Sequence, residues 1–314
     1  MTKDKNKYSY IEQFKTLKRG LFVHFGLYSQ VGKGEWYLDN EKIPIDKYKK
    51  LANSFVVPKN WLNDIMEVAK TFGAKYIVLT TRHHDGFSLY DTKGLSKFDI
   101  MSTPTKRDLI KEFVEVCRLN DIKPFFYHTL IDWTDERFKS DLTSYLRYLN
   151  ESVKLLCKNY GEIGGFWFDG SWYKEKIDWN FDEIFCNIRK YQPNAIISNN
   201  GGLENLGQML NEGVDCLIFE RSGDTSLNTS FDSKARAKEL CQTLNNHWGC
   251  FNGDDQYKSV DALFEEYKNC QKNCCNYLLN VGPQKDGTVL KIEKNIFSKL
   301  GKRISEYENK LFDV

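Results

Sequence analysis

WLNDIMEVAKTFGAKYIVLTT, residues 61–81, contains a complete helix-to-strand transition. Trp61, Ile65, Val68 and Phe72 recur at steps of 4, 3 and 4, the apolar stripe of a helix that faces a core. Gly73 falls where that helix should stop, because glycine accepts the left-handed conformation that ends helices. Tyr76–Thr81 follows without a charged residue. A run that is apolar at consecutive positions, rather than at alternate ones, suits a parallel strand covered on both faces.

The same unit repeats along the chain. Leu21–Phe25, Pro124–His128, Gly165–Asp169, Ala195–Ser198, Asp215–Glu220 and Tyr277–Val281 read as strands, with a weaker one near His247–Phe251. Leu109, Phe113, Val116 and Leu119 mark one intervening helix, and Leu142, Leu146, Leu149, Val153 and Leu156 another, which Gly161 should close. Residues 289–314 read as a final helix. Eight strands alternating with helices predict a (β/α)8 barrel, a single domain over residues 1–314. The length of 314 residues fits a fold that takes ~250 residues or more. An open doubly wound sheet competes, but its G-x-G-x-x-G turn is missing; Gly32-Lys33-Gly34 lies in a polar loop without the third glycine.

Forty-five basic against 43 acidic side chains leave a charge of +2 and no basic block, which argues against nucleic acid as a partner. No apolar run approaches the ~18–20 residues of a membrane span. The opening MTKDKNKYSYIEQF lacks the apolar core of a secretory signal, so a cytoplasmic protein is expected. The nine cysteines include no C-x-x-C pair, and Val260, Leu263, Tyr267, Cys270 and Cys274 share one helical face. They are therefore read as buried, reduced core thiols.

A barrel assembles its active site from the C-terminal ends of its strands. All five histidines, His24, His83, His84, His128 and His247, fall at or near such ends, as do Trp36, Trp133, Trp167, Trp172 and Trp248. Asp169 closes the apolar run GGFWFDG and Glu220 closes DCLIFE, where an acid must be paired, desolvated or functional. Two carboxylates among indoles and imidazoles suit a glycosidase, since sugars present apolar ring faces and many hydroxyls. No H-x-H or H-E-x-x-H spacing exists, so neither a metal nor another cofactor is expected.

GLFVHFGLYS, GEWY, TTRHHDGFSLYDT, FYHTLIDW, GFWFDG, ELCQTLNNHWGCF and NYLLNVGPQKDGTV, in this order, resemble the α-L-fucosidases of glycoside hydrolase family 29. The resemblance runs from about residue 12 to 305 and implies a retaining mechanism; an exo-acting fucosidase is expected, and the missing secretion signal suggests small fucosylated substrates. It implies Asp169 as nucleophile, and His24, Glu35, Trp36, His83, His84 and Tyr127 as residues that hold the sugar hydroxyls. Phe22, Trp167 and Trp248 resemble the wall around the C5 methyl. Relatives carry an arginine after the fifth strand where this chain reads Ser198-Asn199-Asn200, leaving Asn200 to bind substrate without a charge. Many relatives also continue into a C-terminal β-sandwich, which is not expected within these residues.

For the acid/base the expectation is Glu220. Glu239 is the alternative, read as mid-helical within AKELCQTLNNHWG, and Asp224 and Asp254 are more remote candidates. Leaving-group contacts are expected from the loops Thr134–Asp141, Trp172–Trp179 and Gly223–Asp232. A retaining glycosidase for another sugar, such as an α-galactoside, and a non-catalytic fucose-binding module are the competing functions, which a panel of aryl glycosides separates. Oligomeric state, including a homo-oligomer, is left open.

Overall fold

The computed structural model describes residues 9–173, 177–221, 227 and 236–312. Eight parallel strands close into a barrel in chain order. They are β1 Arg19–Val23, β2 Tyr76–Arg82, β3 Lys123–Thr129, β4 Gly165–Asp169, β5 Ile196–Asn199, β6 Cys216–Glu220, β7 Ala237–Gln242 and β8 Asn276–Val281. β8 pairs back to β1, so no edge is exposed. Helices Asn63–Phe72, Leu109–Leu119, Leu142–Asn159, Phe181–Tyr191, Val260–Lys272 and Lys291–Phe312 follow strands β1, β2, β3, β4, β7 and β8. Gly73 caps the first of these at φ +76°, as the sequence suggested.

Strand alternation sorts the side chains into two sets. One packs outward against the helices. The other, including Phe22, Tyr76, Val78, Phe125, Tyr127, Trp167, Ile218 and Leu278, fills the barrel. Each buried aromatic ring removes ~150–250 Å² from water, so this interior is a packed core rather than a pore. Its N-terminal end is closed by the Ser9–Leu17 helix, whose Phe14 ring lies 5.3 Å from that of Tyr76 and 5.5 Å from that of Phe125. Continuing the inward alternation to the other end delivers His24 after Phe22, Asp169 after Trp167, Glu220 after Ile218 and Asn280 after Leu278. That parity is what builds the site.

Four expectations need correction. β1 begins and ends two residues earlier than Leu21–Phe25, which leaves His24 just beyond the strand. The seventh strand is Ala237–Gln242, not His247–Phe251, so Glu239 lies in a strand and not in a helix. AKELCQ is composed largely of good helix formers, and pairing with β6 and β8 overrides that preference. His247–Phe251 is instead a loop, tied by a Lys33–Phe251 bridge. Finally, the Val260 helix ends at Lys272; Cys274 lies beyond it at φ +50° and is exposed, as is Cys186, while the other seven cysteines are buried.

Candidate active site

At the C-terminal mouth of the barrel lies a narrow pocket of about 60 Å³. Its walls are Phe22, His24, Trp36, His83, His84, Tyr127, Trp167, Asp169, Trp172, Asn200, Glu220 and Trp248. It adjoins a broader cleft of about 570 Å³, bounded by Trp36, Ser171, Trp172, residues 201–205 and Glu220. Trp36, Trp172 and Glu220 line both, and the two indoles stand 5.9 Å apart and nearly parallel at the junction. A third depression, of about 540 Å³, lies around residues 161–163 and 191–195, remote from these carboxylates.

Asp169 ends β4 and is surrounded by donors. Its Oδ1 accepts from the Gly170 amide at 2.9 Å, Asn200 Nδ2 at 3.0 Å and Trp172 Nε1 at 3.2 Å. Its Oδ2 accepts from the Tyr127 hydroxyl at 2.8 Å and faces His84 Nε2 at 3.4 Å. Burial pushes the Asp169 carboxyl up, but the His84, Tyr127 and Asn200 bonds outweigh it and bring the pKa down to about 2. It is a buried anion at any ordinary pH.

Glu220, at the end of β6, has the opposite character. Burial first, and then the charge of Asp169, push its pKa up to about 7, against the opposing bond from Asn200. Asn200 joins the two acids. Its Nδ2 donates to Asp169 Oδ1 at 3.0 Å and to Glu220 Oε2 at 2.8 Å, and its Oδ1 accepts the Gly202 amide. Arg221 turns away, donating to the Asn246 carbonyl with its guanidinium 5.1 Å from the Trp248 ring centre.

Two of the imidazoles are held neutral. Asn280 Nδ2 donates to the Trp248 carbonyl, which turns its Oδ1 toward His24 Nδ1 at 2.7 Å. His24 therefore carries its proton on Nδ1, and burial holds its pKa near 3, so Nε2 is a lone-pair acceptor. His83 is also pushed well below the usual histidine range by burial, and its ring stacks on Tyr127 at 5.4 Å. Tyr127 stacks in turn on Trp167 at 5.6 Å. Phe22, Trp167 and Trp248 form one apolar corner, with ring centres 5.0 and 5.7 Å from that of Phe22.

Other expected residues stand elsewhere. Glu35 is buried but is not among the residues that line the pocket; its Oε2 accepts the amide of Gly249, beside Trp248. Glu239 is buried one turn of the alternation below the mouth, accepting from Tyr76 OH at 2.6 Å and Trp167 Nε1 at 2.9 Å. Burial pushes its carboxyl up to about 7. Asp254 bonds His247 Nδ1 and the Asn246 amide within its own loop. His128 bonds Thr81 and packs near Tyr90, so three of the five histidines, His24, His83 and His84, reach the pocket. Trp133 stands behind Trp36, 4.9 Å between centres. Asp224 and most of Gly223–Asp232 lie outside the described residues, as do positions 174–176. The Thr134–Asp141 segment, expected as a loop, carries a short helix at Glu136–Ser140 and lines neither cavity, whereas residues 201–205 line the broader cleft, a placement the sequence reading missed. Two consecutive glycines, Gly201-Gly202, a few residues beyond the expected strand Ala195–Ser198, marked a loop there but not its place in a cleft. Among the described residues no cluster of three metal-ligating side chains occurs, and no helix is long and apolar enough to cross a membrane.

A (β/α)8 barrel with two carboxylates of opposite character at its C-terminal mouth, walled by indoles and imidazoles, is the framework of a glycoside hydrolase. The family model for α-L-fucosidase matches residues 1–309, and the chain belongs to that family. It is 25% identical to human plasma α-L-fucosidase over 88% of this chain and 63% of the relative, and 26% identical to rat tissue α-L-fucosidase over 92% and 67%. It thus spans about two thirds of the length of these relatives. Among solved structures, α-L-fucosidase isoenzyme 1 from Paenibacillus thiaminolyticus superposes with a TM-score of 0.84 at 31% identity, over 95% of this chain and 76% of that one. An α-L-fucosidase from Lactobacillus casei, solved with its α-L-fucose product, shares the fold at TM-score 0.83 and 24% identity, over 96% and 99%.

Proposed function

We propose that this protein is an exo-acting α-L-fucosidase that works with retention, Asp169 as nucleophile and Glu220 as acid/base. The observation that carries this is the shared Asn200 amide. Two oxygens 3.0 and 2.8 Å from one nitrogen cannot be as far apart as the ~6.5–9.5 Å of an inverting pair and fit the ~5–5.5 Å of a retaining one. An acid at about 2 beside one at about 7 supports the division of labour, since the first is always ionised and the second holds a proton to give.

Position supports the same roles. Asp169 lines only the narrow pocket, where the sugar would sit. Glu220 lines both cavities and so stands where a glycosidic oxygen would cross from one to the other. Asp169 attacks the anomeric carbon as Glu220 protonates the departing oxygen. Glu220 then takes a proton from water, which attacks the same carbon and releases Asp169. His24 Nε2 accepts from a sugar hydroxyl, and the Phe22–Trp167–Trp248 corner packs against the C5 methyl. A methyl group in such a corner is worth about 1–3 kcal/mol against a sugar without it.

Proton NMR of aryl α-L-fucoside hydrolysis tests this reading. The α anomer of fucose should appear first and mutarotate later. First appearance of the β anomer would contradict retention, and turnover of the matching α-galactoside alone would contradict the sugar assignment.

A further inference from the structure

The cleft outside the narrow pocket is a built site rather than open surface. Asn200 Oδ1 accepts the Gly202 amide, Asn205 Nδ2 donates to the Gly201 carbonyl, and Ser171 Oγ donates to the Asn200 carbonyl. Gly202 has φ +72°, and a Cβ there would stand 2.9 Å from Trp172 Cδ1, so the segment lies directly against the indole. The amide that links the two carboxylates therefore also sets the wall of the cleft. A volume of about 570 Å³ falls within the ~300–1,000 Å³ of small-ligand sites.

Its chemistry is one-sided. Trp172 and Leu203, the latter 63% exposed, give it an apolar face. Glu204 and Glu220 give it carboxyl groups, Ser171 and Asn205 neutral polar ones, and no lysine or arginine is among its described lining residues. We propose that this cleft is the leaving-group subsite, that it takes a neutral pyranoside with its apolar ring face on Trp172 and Leu203, and that Glu204 excludes acidic aglycones. The inference rests on the fucosidase reading, because only a scissile oxygen at Glu220 puts the departing sugar here. Trp172 belongs to both cavities; Leu203 and Glu204 belong to the cleft alone.

Three substrates test it: α-L-fucosyl fluoride, which has no aglycone ring, a neutral α-L-fucosyl disaccharide, and the same disaccharide with its aglycone oxidised to a uronic acid. Leu203→Ser should lower the ratio of kcat/KM on the neutral disaccharide to that on the fluoride by about fourfold, the worth of about one lost methylene contact. Glu204→Lys should raise the ratio of acidic to neutral disaccharide by about tenfold, since one repulsive charge becomes attractive. Unchanged ratios in both variants would overturn the subsite. Failure of the wild-type protein to cleave the fluoride would instead overturn the fucosidase reading, and the subsite with it.

Discussion

Asp169 and Glu239 are both inward-facing carboxyls of one barrel, both buried, and both accept from a tyrosine of another strand. Their environments nonetheless push them in opposite directions. Asp169, at the mouth, accepts three donors on one oxygen and two on the other, and stays ionised. Glu239, in the layer below, accepts among the described residues from Tyr76 and Trp167 alone, too little to offset complete burial. Burial alone does not create a nucleophile; the number of hydrogen bonds aimed at the charged form does. The lower layer serves the upper through Trp167, whose indole lines the pocket and whose Nε1 is bonded to Glu239.

The sharpest way to break this contrast is to remove each acid. Asp169→Gly should lower kcat by about 10⁴-fold or more, since Glu220, the other carboxyl lining the inner pocket among the described residues, stands on the leaving-group side and cannot replace it. Glu220→Ala should cost about 10²–10⁴-fold on alkyl glycosides and much less on substrates with activated leaving groups, which need no proton. If the two variants were equally impaired on both substrate types, the division between them would fail. In the wild-type protein, kcat/KM should fall as pH rises through about 7, where Glu220 loses its proton, and the acid limb should lie near 2, where Asp169 gains one.

Glu239→Gln should act more mildly, because the amide oxygen still accepts from one donor. We expect KM to rise by about 3–10-fold with a smaller change in kcat, as Trp167 loses its fixed orientation. A loss as deep as that of Glu220→Ala would make Glu239 the acid/base instead. Its titration gives the smallest effect. A carboxyl raised from 4.5 to about 7 in the folded protein contributes stability that is complete below 4.5 and lost as pH rises through 7. Urea unfolding at pH 5 and pH 8 should therefore differ less in Glu239→Gln than in the parent, by up to about 3 kcal/mol. An equal difference in both would place the pH dependence elsewhere, Glu220, Glu293 and Asp85 being other carboxyls raised to about 7.

The sequence makes the barrel visible wherever a strand is apolar on both faces, as in YIVLTT and GFWFD. β7 escapes because AKELCQ carries a charged residue at an inward position, and only a tyrosine and a tryptophan from distant strands make that tolerable. Asp169 and Glu220 could be found because an acid ending an apolar run is conspicuous. The role of Asn200 could not, since an asparagine after a strand reads as a turn residue until the chain closes around it. Residues 201–205 announce a loop through Gly201-Gly202 but not its neighbour: their place beside Trp172 depends on how two separate loops meet.

Azide rescue tests the central assignment most directly. Attack by Asp169 inverts the anomeric centre once, so in Glu220→Ala an azide entering the vacated acid/base position inverts it again and should release α-L-fucosyl azide. In Asp169→Gly the azide takes the place of the nucleophile, inverts the centre only once, and should release the β-azide. Finding the anomers exchanged between the two variants, or finding the α-azide with Glu239→Ala while Glu220→Ala keeps full activity on alkyl fucosides, would contradict the account.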